Sequence, residues 1–427
     1  MKYSNVMMVG LGYIGLPTAA VMASKGLNVI GLDVAKDVCD TINEGKIHIV
    51  EPGLEKLVEG AVRAGKLRAT TLAEEADVFV IAVPTPYEED YSPDLSYIRN
   101  ACEMIAPVLK KGDLVVLEST SPVTTTDKVS EWLSAMRQDL SFPVEGDEDR
   151  AIDVNVAYCP ERVLPGKVIE ELVNNDRSIG GMTLACAKAA QVFYRTFVKG
   201  DCVVTTARTA EMVKLVENSS RDVNIAFANE LSLLSERFGI DVREVIALAN
   251  RHPRVNILQP GAGVGGHCLA VDPWFIVHSA PDLSKIIKTA REVNDSKPLW
   301  VAEQLEKKIS AYLFANPDKT VGTLRIAFFG MAFKPNIDDL RESPAIEVIN
   351  IFRERHPDLT FELVEPNIKD LKKAKLRCDS DQEFDRLYKL TSLGTALSAD
   401  VGVILVSHDE FKNTRELNLP QFLNVAW

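Results

Sequence analysis

Cys268 sits in the stretch Gly261–Ala–Gly–Val–Gly–Gly–His–Cys–Leu–Ala–Val–Asp–Pro–Trp274, where four glycines fall within six residues just ahead of it. Glycine costs backbone entropy, so such a run marks close backbone approach or φ > 0. A thiol at the end of a loop of this kind can be a nucleophile, its thiolate stabilised by backbone N–H groups. The alternative is a buried, inert cysteine in a glycine-rich turn. Asp272 adds a carboxylate four residues later. Lys214 and Asn218 stand at i and i+4, so on a helix they share one face. They can converge on a substrate oxygen, or they can be a solvated lysine with a polar neighbour. Glu161, in Pro160-Glu-Arg-Val-Leu-Pro-Gly166, can serve as a general base or substrate ligand; a solvated pair with Arg162 is the alternative.

A second group of residues suits a dinucleotide. Val6–Val9 reads as a short buried strand, Gly10-Leu-Gly12-Tyr-Ile-Gly15 as a turn, and the residues up to Ser24 as a helix. A second strand, Asn28–Leu32, ends in Asp33, 18 residues after Gly15. The glycine pattern alone is weak evidence, but between a strand and a helix with that acid it is strong. The glycines allow a tight turn and bring the pyrophosphate close to a helix N-terminus. Asp33 would accept hydrogen bonds from the adenosine ribose and repel a 2′-phosphate, which favours NAD over NADP. Further strands at Ala76–Pro84 and Asp113–Glu118 run into Thr85-Pro86 and Ser119-Thr120-Ser121-Pro122. Ligands in a doubly wound sheet lie beyond the carboxyl ends of its strands, so Thr85 and Thr120 are candidates for cofactor or water contacts. Ordinary helix-capping hydroxyls are the alternative.

The elements that position these groups follow from periodicity. Another strand begins at Val154, after an acidic loop, and Asp201–Thr206 is a short one. From Ala207 to about Arg237 apolar residues recur at three- and four-residue steps without proline, predicting a helix of roughly 45 Å. A helix of that length suits a link between domains and contact with a second subunit. Gly239–Asn250 and Leu283–Leu313 are also helical, with Pro298 marking a kink or a start. Leu324–Gly330, Leu359–Val364 and Asp400–Val406 are strands of a second Rossmann-like region without the glycine fingerprint, and Ala345–Arg353 is its helix. Lys334 and Arg341 at its mouth can hold phosphates; pairing with Asp338, Asp339 and Glu342 is the alternative. The expected fold is α/β: two Rossmann-like doubly wound domains, 1–205 and 316–427, joined by a helical domain, 206–315, with a long connecting helix.

Bulk properties exclude other classes. The chain has 427 residues, 46% apolar content and a net charge of −13. That supports two or three cores and disfavours a general nucleic-acid or anionic-membrane binder. Seven widely spaced cysteines suit a reducing cytoplasm rather than a disulfide framework. No C-x-x-C pair or zinc-type histidine spacing occurs, so no metal is expected. The apolar segment Val6–Ala23 is broken by Gly10, Gly12, Gly15 and Pro17, so it reads as strand–turn–helix and not as a signal peptide, and no membrane span is expected.

These motifs, in this order, resemble the nucleotide-sugar 6-dehydrogenases of the UDP-glucose/GDP-mannose dehydrogenase family over essentially the whole chain. The blocks that carry the resemblance are Gly10–Pro17, Val83–Pro86, Glu118-Ser-Thr120, Lys214 with Asn218, Gly265-Gly-His-Cys268 with Asp272, and Phe333–Pro344. Two further stretches, Pro160–Gly166 and His252–Gly261, most resemble the members that act on an N-acetylated mannosamine sugar. Thr124 departs from the family's usual glycine, and Asn424-Val-Ala-Trp427 from its usual ending.

The resemblance implies a four-electron oxidation of a UDP-sugar at C6, with two NAD consumed per cycle. Cys268 would capture the aldehyde as a thiohemiacetal, whose oxidation leaves a thioester for water to cleave. Lys214 and Asn218 would polarise the substrate oxygen. Asp272 with Thr120 would hold water, and Glu161 would assist hydrolysis. Cofactor contacts would come from Gly10, Gly12, Tyr13, Ile14, Gly15, Asp33, Thr85, Thr120 and Arg341. Substrate contacts would come from Glu161, Arg162, Val163, Lys214, Asn218, Gly265, Phe333 and Lys334, and Arg254 would reach a sugar in a neighbouring subunit. At least a homodimer is implied. UDP-N-acetyl-D-mannosamine is the implied substrate, for a surface polysaccharide like enterobacterial common antigen. UDP-N-acetylglucosamine, UDP-glucose, a one-step β-hydroxyacid-type reaction and a non-catalytic NAD-binding scaffold are the alternatives.

Overall fold

The computed structural model describes residues 3–426 apart from 50, 89, 165, 267, 413, 415, 416 and 418. Pro165, His267 and Trp427 of the motifs above lie outside the described residues. The chain divides into two compact units, Met1–Glu217 and Asn218–Trp427.

In the first unit the strands are β1 (Asn5–Val9), β2 (Asn28–Leu32), β3 (Leu67–Thr70), β4 (Val78–Ile81), β5 (Leu114–Leu117), β6 (Asn155–Tyr158), β7 (Arg177–Gly181) and β8 (Cys202–Thr206). Among the described residues they form one sheet in the order β3-β2-β1-β4-β5-β6-β7-β8. Every neighbouring pair is parallel except β6–β7. Helices cover both faces, so the central strands are apolar throughout: Val-Phe-Val-Ile in β4 and Leu-Val-Val-Leu in β5 are buried at all four positions. Alternate side chains feed opposite cores. Val78, Val80, Leu114 and Val116 enter one, while Phe79, Ile81, Val115 and Leu117 enter the other.

The unit boundary falls inside the helix Ala207–Phe238, which runs 32 residues as its apolar period predicts. The second unit continues with helices Val242–Ala249, Asp272–Ser279 and Lys285–Ala315. Pro298 lies within the last of these and does not start it. Then come β9 (Ile326–Phe329), β10 (Phe361–Val364), β11 (Tyr388–Leu390), β12 (Val401–Ile404) and β13 (Phe422–Asn424), with the helix Pro344–Arg355 between β9 and β10. This sheet is parallel, in the order β11-β10-β9-β12-β13. That order repeats β3-β2-β1-β4-β5 of the first sheet, so each unit carries a doubly wound Rossmann-like sheet. Among the described residues no helix is long and apolar enough to cross a membrane.

The pattern reading misses four strands, β3, β7, β11 and β13. Each is three to five residues long and lacks a continuous apolar run. β7, Arg-Ser-Ile-Gly-Gly, is held as a strand by pairing with β6 and β8, and its glycines fit a close approach: a Cβ on Gly181 would lie 2.2 Å from the Ala187 nitrogen.

Candidate active site

The glycines of the first turn have separate tasks. Gly10 has φ +92°, its N–H donates to the Leu32 carbonyl at 2.8 Å, and an added Cβ would lie 2.5 Å from the Ala82 oxygen. Gly15 has no room either, since its Cβ would press on the Gly10 oxygen where the helix Gly15–Ser24 crosses the turn. A Cβ added at Gly12 would meet nothing within 4 Å beyond its chain neighbours. Two glycines therefore make the tight turn and its packing, and the third leaves a space that a pyrophosphate can approach. Tyr13 is exposed beside it, and Ile14 precedes the first residue of the helix. Asp33 accepts the Leu11 N–H at 2.9 Å and the Ala35 N–H at 3.0 Å, which hold its carboxylate at the end of β2. These residues fit a bound NAD.

Beyond β4 and β5 the two loops are stitched together. Ser119 Oγ accepts the Val83 N–H at 2.9 Å and donates to the Val83 carbonyl at 2.7 Å, and the Thr85 hydroxyl donates to the Thr120 carbonyl. Thr124 adopts the left-handed conformation, φ +78°, that glycine would take without strain. The buried Glu211 carboxylate compensates by accepting the Thr124 N–H at 2.7 Å, the Thr126 N–H at 2.8 Å and the Thr126 hydroxyl at 2.6 Å. It thereby caps the helix Thr125–Met136. Burial pushes this carboxyl up to about 7, against the three hydrogen bonds. Left-handed backbone costs an L-residue about 1–2 kcal/mol, and glycine's extra chain entropy offsets about half of that. Thr124→Gly is therefore expected to raise stability by about 0.5–1 kcal/mol. Urea midpoints check it, and a lower midpoint would mean that the threonine side chain contributes more than its strain costs.

Glu161 differs from the solvated Glu–Arg pair considered above. It is buried, its Oε2 accepts from Arg177 Nη1 at 2.7 Å, and its Oε1 accepts the Arg162 N–H at 2.5 Å. The Arg162 side chain pairs instead with Glu217, at 2.7 Å. Val163 packs against the first core. Lys214 is half-buried on the long helix.

In the second unit the glycine run makes the close approach its composition predicts. A Cβ on Gly265 would lie 2.3 Å from the Glu342 oxygen and 2.9 Å from Phe333 Cβ. On Gly266, φ +86°, it would touch the Phe333 ring. The Gly266 N–H donates to the Arg341 carbonyl at 3.1 Å. This packing sets Cys268 beside the 333–344 segment, and Cys268 is the one exposed cysteine of the seven. Its carbonyl accepts the Asp272 N–H at 2.8 Å, which winds the loop into the helix Asp272–Ser279. Asp272 is buried and accepts from Asn218 Nδ2 at 2.5 Å. Cys268 thus stands one helical turn before the carboxylate that the Asn218 carboxamide bonds.

A buried polar ladder between the long helix and the helix Lys285–Ala315 anchors this loop. Asn229 accepts the Gly261 N–H at 2.9 Å and donates to Asn294 Oδ1 at 2.8 Å. Asn294 donates to Asp222 Oδ1 at 2.8 Å, and Arg291 donates to the same oxygen at 2.7 Å. Arg291 also donates to the Leu269 carbonyl at 3.3 Å, next to the nucleophile candidate. The sequence reading misses Asp222, Asn229, Arg291 and Asn294. A signal was present: Asn218, Asp222 and Asn229 recur at helical spacing inside an otherwise apolar stripe.

Lys334 is half-buried. Burial lowers its amine pKa, with Asp339 opposing, Arg221 reinforcing and Cys268 opposing. Arg341 forks onto Asp339, its Nε at 2.8 Å, in the paired arrangement held open above. Arg254 is exposed, in the loop before Gly261. The second Rossmann-like turn reuses the logic of the first. Gly330 has φ +87° and donates to the Val364 carbonyl at 2.8 Å, and Glu365 stands where Asp33 stands, accepting the Met331 N–H at 2.7 Å. Here the carboxylate is buried and also meets His408 Nε2 at 3.1 Å. The Glu365 carboxylate is thus engaged by a buried histidine, unlike Asp33.

Sheet order, glycine turn, the acid after β2 and a thiol-bearing loop define the class as an NAD-binding oxidoreductase with a covalent-catalysis candidate. The chain belongs to the UDP-glucose/GDP-mannose dehydrogenase family: residues 4–198 match its NAD binding domain, 208–296 its central domain and 327–424 its UDP binding domain. It is 56% identical over 413 residues to the UDP-N-acetyl-D-mannosamine dehydrogenase of Escherichia coli (strain K12), covering 96% of this chain and 95% of that one. It is also 56% identical over 411 residues to the NDP-N-acetyl-D-galactosaminuronic acid dehydrogenase of Ralstonia nicotianae, covering 96% and 92%. Among solved structures, UDP-D-ManNAc dehydrogenase from Pyrococcus horikoshii superposes with a TM-score of 0.82 at 38% identity, covering 96% of this chain and 91% of that one.

Proposed function

We propose that this protein oxidises UDP-N-acetyl-D-mannosamine at C6 to UDP-N-acetyl-D-mannosaminuronate, in two NAD-dependent steps on one active site. The observation that carries the reading is the exposed Cys268 next to the buried Asp272–Asn218 pair, in a chain more than half identical to dehydrogenases of such sugars. NAD, when bound, supplies the hydride acceptor for each oxidation. The chain's own residues do the rest. Lys214 and Asn218 polarise the C6 oxygen and stabilise its charge. The Cys268 thiolate adds to the aldehyde carbon, which restores a tetrahedral centre bearing a transferable hydrogen. After the second oxidation the carbon is a thioester, and water attacks it while the thiolate leaves. Asp272 and Thr120 are assigned to holding water, and Glu161 to accepting its proton. Lys334, Phe333, Gly265, Arg162 and Val163 are assigned to the UDP-sugar, Arg254 to a sugar bound in a second subunit, and Arg341 to the cofactor.

The division into an NAD-binding domain (1–205), a central helical domain (206–315) and a UDP-sugar domain (316–427) is part of the proposal. So are a homodimer or higher oligomer, a cytoplasmic location, and a role in supplying a surface polysaccharide. A second reading, an N-acetylgalactosamine-type sugar, is favoured by the equal identity to the Ralstonia relative. A panel of UDP-N-acetyl-D-mannosamine, its gluco and galacto epimers, UDP-glucose and GDP-mannose separates them. The expected result is two NADH per sugar and the highest kcat/KM with the manno epimer. A galacto preference would install the second reading, and one NADH with released aldehyde would overturn the two-step chemistry.

A further inference from the structure

Behind Glu161 lies a buried set of ionisable groups that the proposed chemistry does not use. Glu118 follows β5, Cys159 and Glu161 follow β6, Arg177 begins β7, and Tyr194 ends the helix Leu184–Tyr194. All five are buried. Arg177 is held independently of Glu161, since it also donates to the Pro160 carbonyl at 3.4 Å and the Leu172 carbonyl at 3.3 Å. Glu118 Oε1 accepts the Tyr194 hydroxyl at 2.9 Å, while its Oε2 is buried with no hydrogen-bond partner. The Arg177 guanidinium pairs with Glu161 and lies 5.8 Å from the centre of the Tyr194 ring, whose hydroxyl bonds Glu118, so one cation serves a pocket with two carboxyl groups. If both were ionised, the cluster would hold a net buried negative charge, which is costly. A proton on Glu118 removes that charge.

We infer that Arg177 is a positioning residue for Glu161, and that the buried carboxyl of Glu118 controls its hold by keeping or releasing a proton. With Glu118 neutral, the guanidinium serves Glu161 alone and fixes its carboxylate. When Glu118 ionises, it competes for the same cation and loosens Glu161. Burial pushes the Glu118 carboxyl up to about 7, with Arg177 opposing, Glu161 reinforcing and the Tyr194 hydrogen bond opposing, so the exchange falls at neutral pH. Cys159, beside them, stays a neutral thiol because burial raises its pKa. The inference rests on the assignment of Glu161 to the hydrolytic step.

The test is the pH profile of acid formation by the full-length enzyme with UDP-N-acetyl-D-mannosamine. Wild type is expected to lose rate, on the order of tenfold, through a transition near pH 7, the scale that a loosened catalytic group produces. Glu118→Gln keeps the shape and the Tyr194 hydrogen bond but cannot ionise, so its rate is expected to hold through that range. Arg177→Lys is expected to cost 10- to 100-fold, on the order of a misplaced base. Infrared titration adds a readout independent of turnover: in the wild-type minus Glu118→Gln difference spectrum, where the band of the similarly buried Glu211 cancels, a carboxylic-acid C=O band that titrates near neutral pH is expected. A Glu118→Gln profile that superposes on wild type, or a difference spectrum without that band, overturns the inference alone. If Glu161→Gln forms acid at the wild-type rate, the assignment of Glu161 falls and the inference with it.

Discussion

Cys268→Ala is expected to abolish carboxylate formation, by on the order of 10⁴-fold or more, the scale of removing a covalent nucleophile. The reason lies in electron counting. Oxidation of the C6 alcohol removes two electrons and stops at an aldehyde, whose carbon has no hydride to give until a nucleophile adds. Water can add, but it is a poor substitute for a thiolate that both attacks well and leaves well. The variant is therefore expected to yield at most one NADH per sugar, with aldehyde as product. Cys268 is exposed, so the substitution leaves no cavity, and loss of fold would not explain the result. Mass spectrometry of the wild-type enzyme quenched in turnover should find the sugar on the peptide containing Cys268. Two NADH and normal acid yield from Cys268→Ala would remove the thiol from the mechanism.

Asp222→Ala is expected to destabilise the protein by about 3–5 kcal/mol, because it leaves the Arg291 charge buried without its inner partner. Burial raises the Asp222 pKa, and Arg291 and Asn294, which both donate to its Oδ1, oppose the shift. Arg291 would keep the exposed-side Asp295, but its side chain is almost fully buried. The loss is a large fraction of a typical folding free energy. It should also free the Cys268 loop, since Asp222 orients both Arg291 on the Leu269 carbonyl and Asn294 behind Asn229. Urea denaturation measures the first effect, and the rate of Cys268 alkylation by iodoacetamide measures the second. The double replacement Asp222→Leu with Arg291→Met should be less destabilised than Asp222→Ala, because no charge is left unpaired. A loss below about 1 kcal/mol for Asp222→Ala would mean that water reaches the pair, as at surface ion pairs.

What could be read from the chain alone is what local stereochemistry controls. Strands such as Asn28–Leu32 and the 207–238 helix announce themselves by period, because a side chain's face follows from its place in the backbone repeat. Gly10, Gly12, Gly15 and Asp33 are legible because a turn and the strand after it need those residue types at that spacing. The glycines before Cys268 correctly announce a close approach, though not that the 333–344 segment makes it. The fold class and the dinucleotide half-site thus came from short-range rules.

Tertiary structure decided the partners. Glu161 neighbours Arg162 in sequence, yet its charge partner is Arg177, 16 residues on, because burial leaves only the cation on the adjoining strand within reach. Arg291 finds Asp222 across 69 residues, and neither signals the other. Strand β7 is set by its pairing with β6 and β8, and Arg341 is folded onto Asp339 by its loop. The cost of an unpaired buried charge is set by what excludes water in three dimensions, and a sequence period carries no record of that.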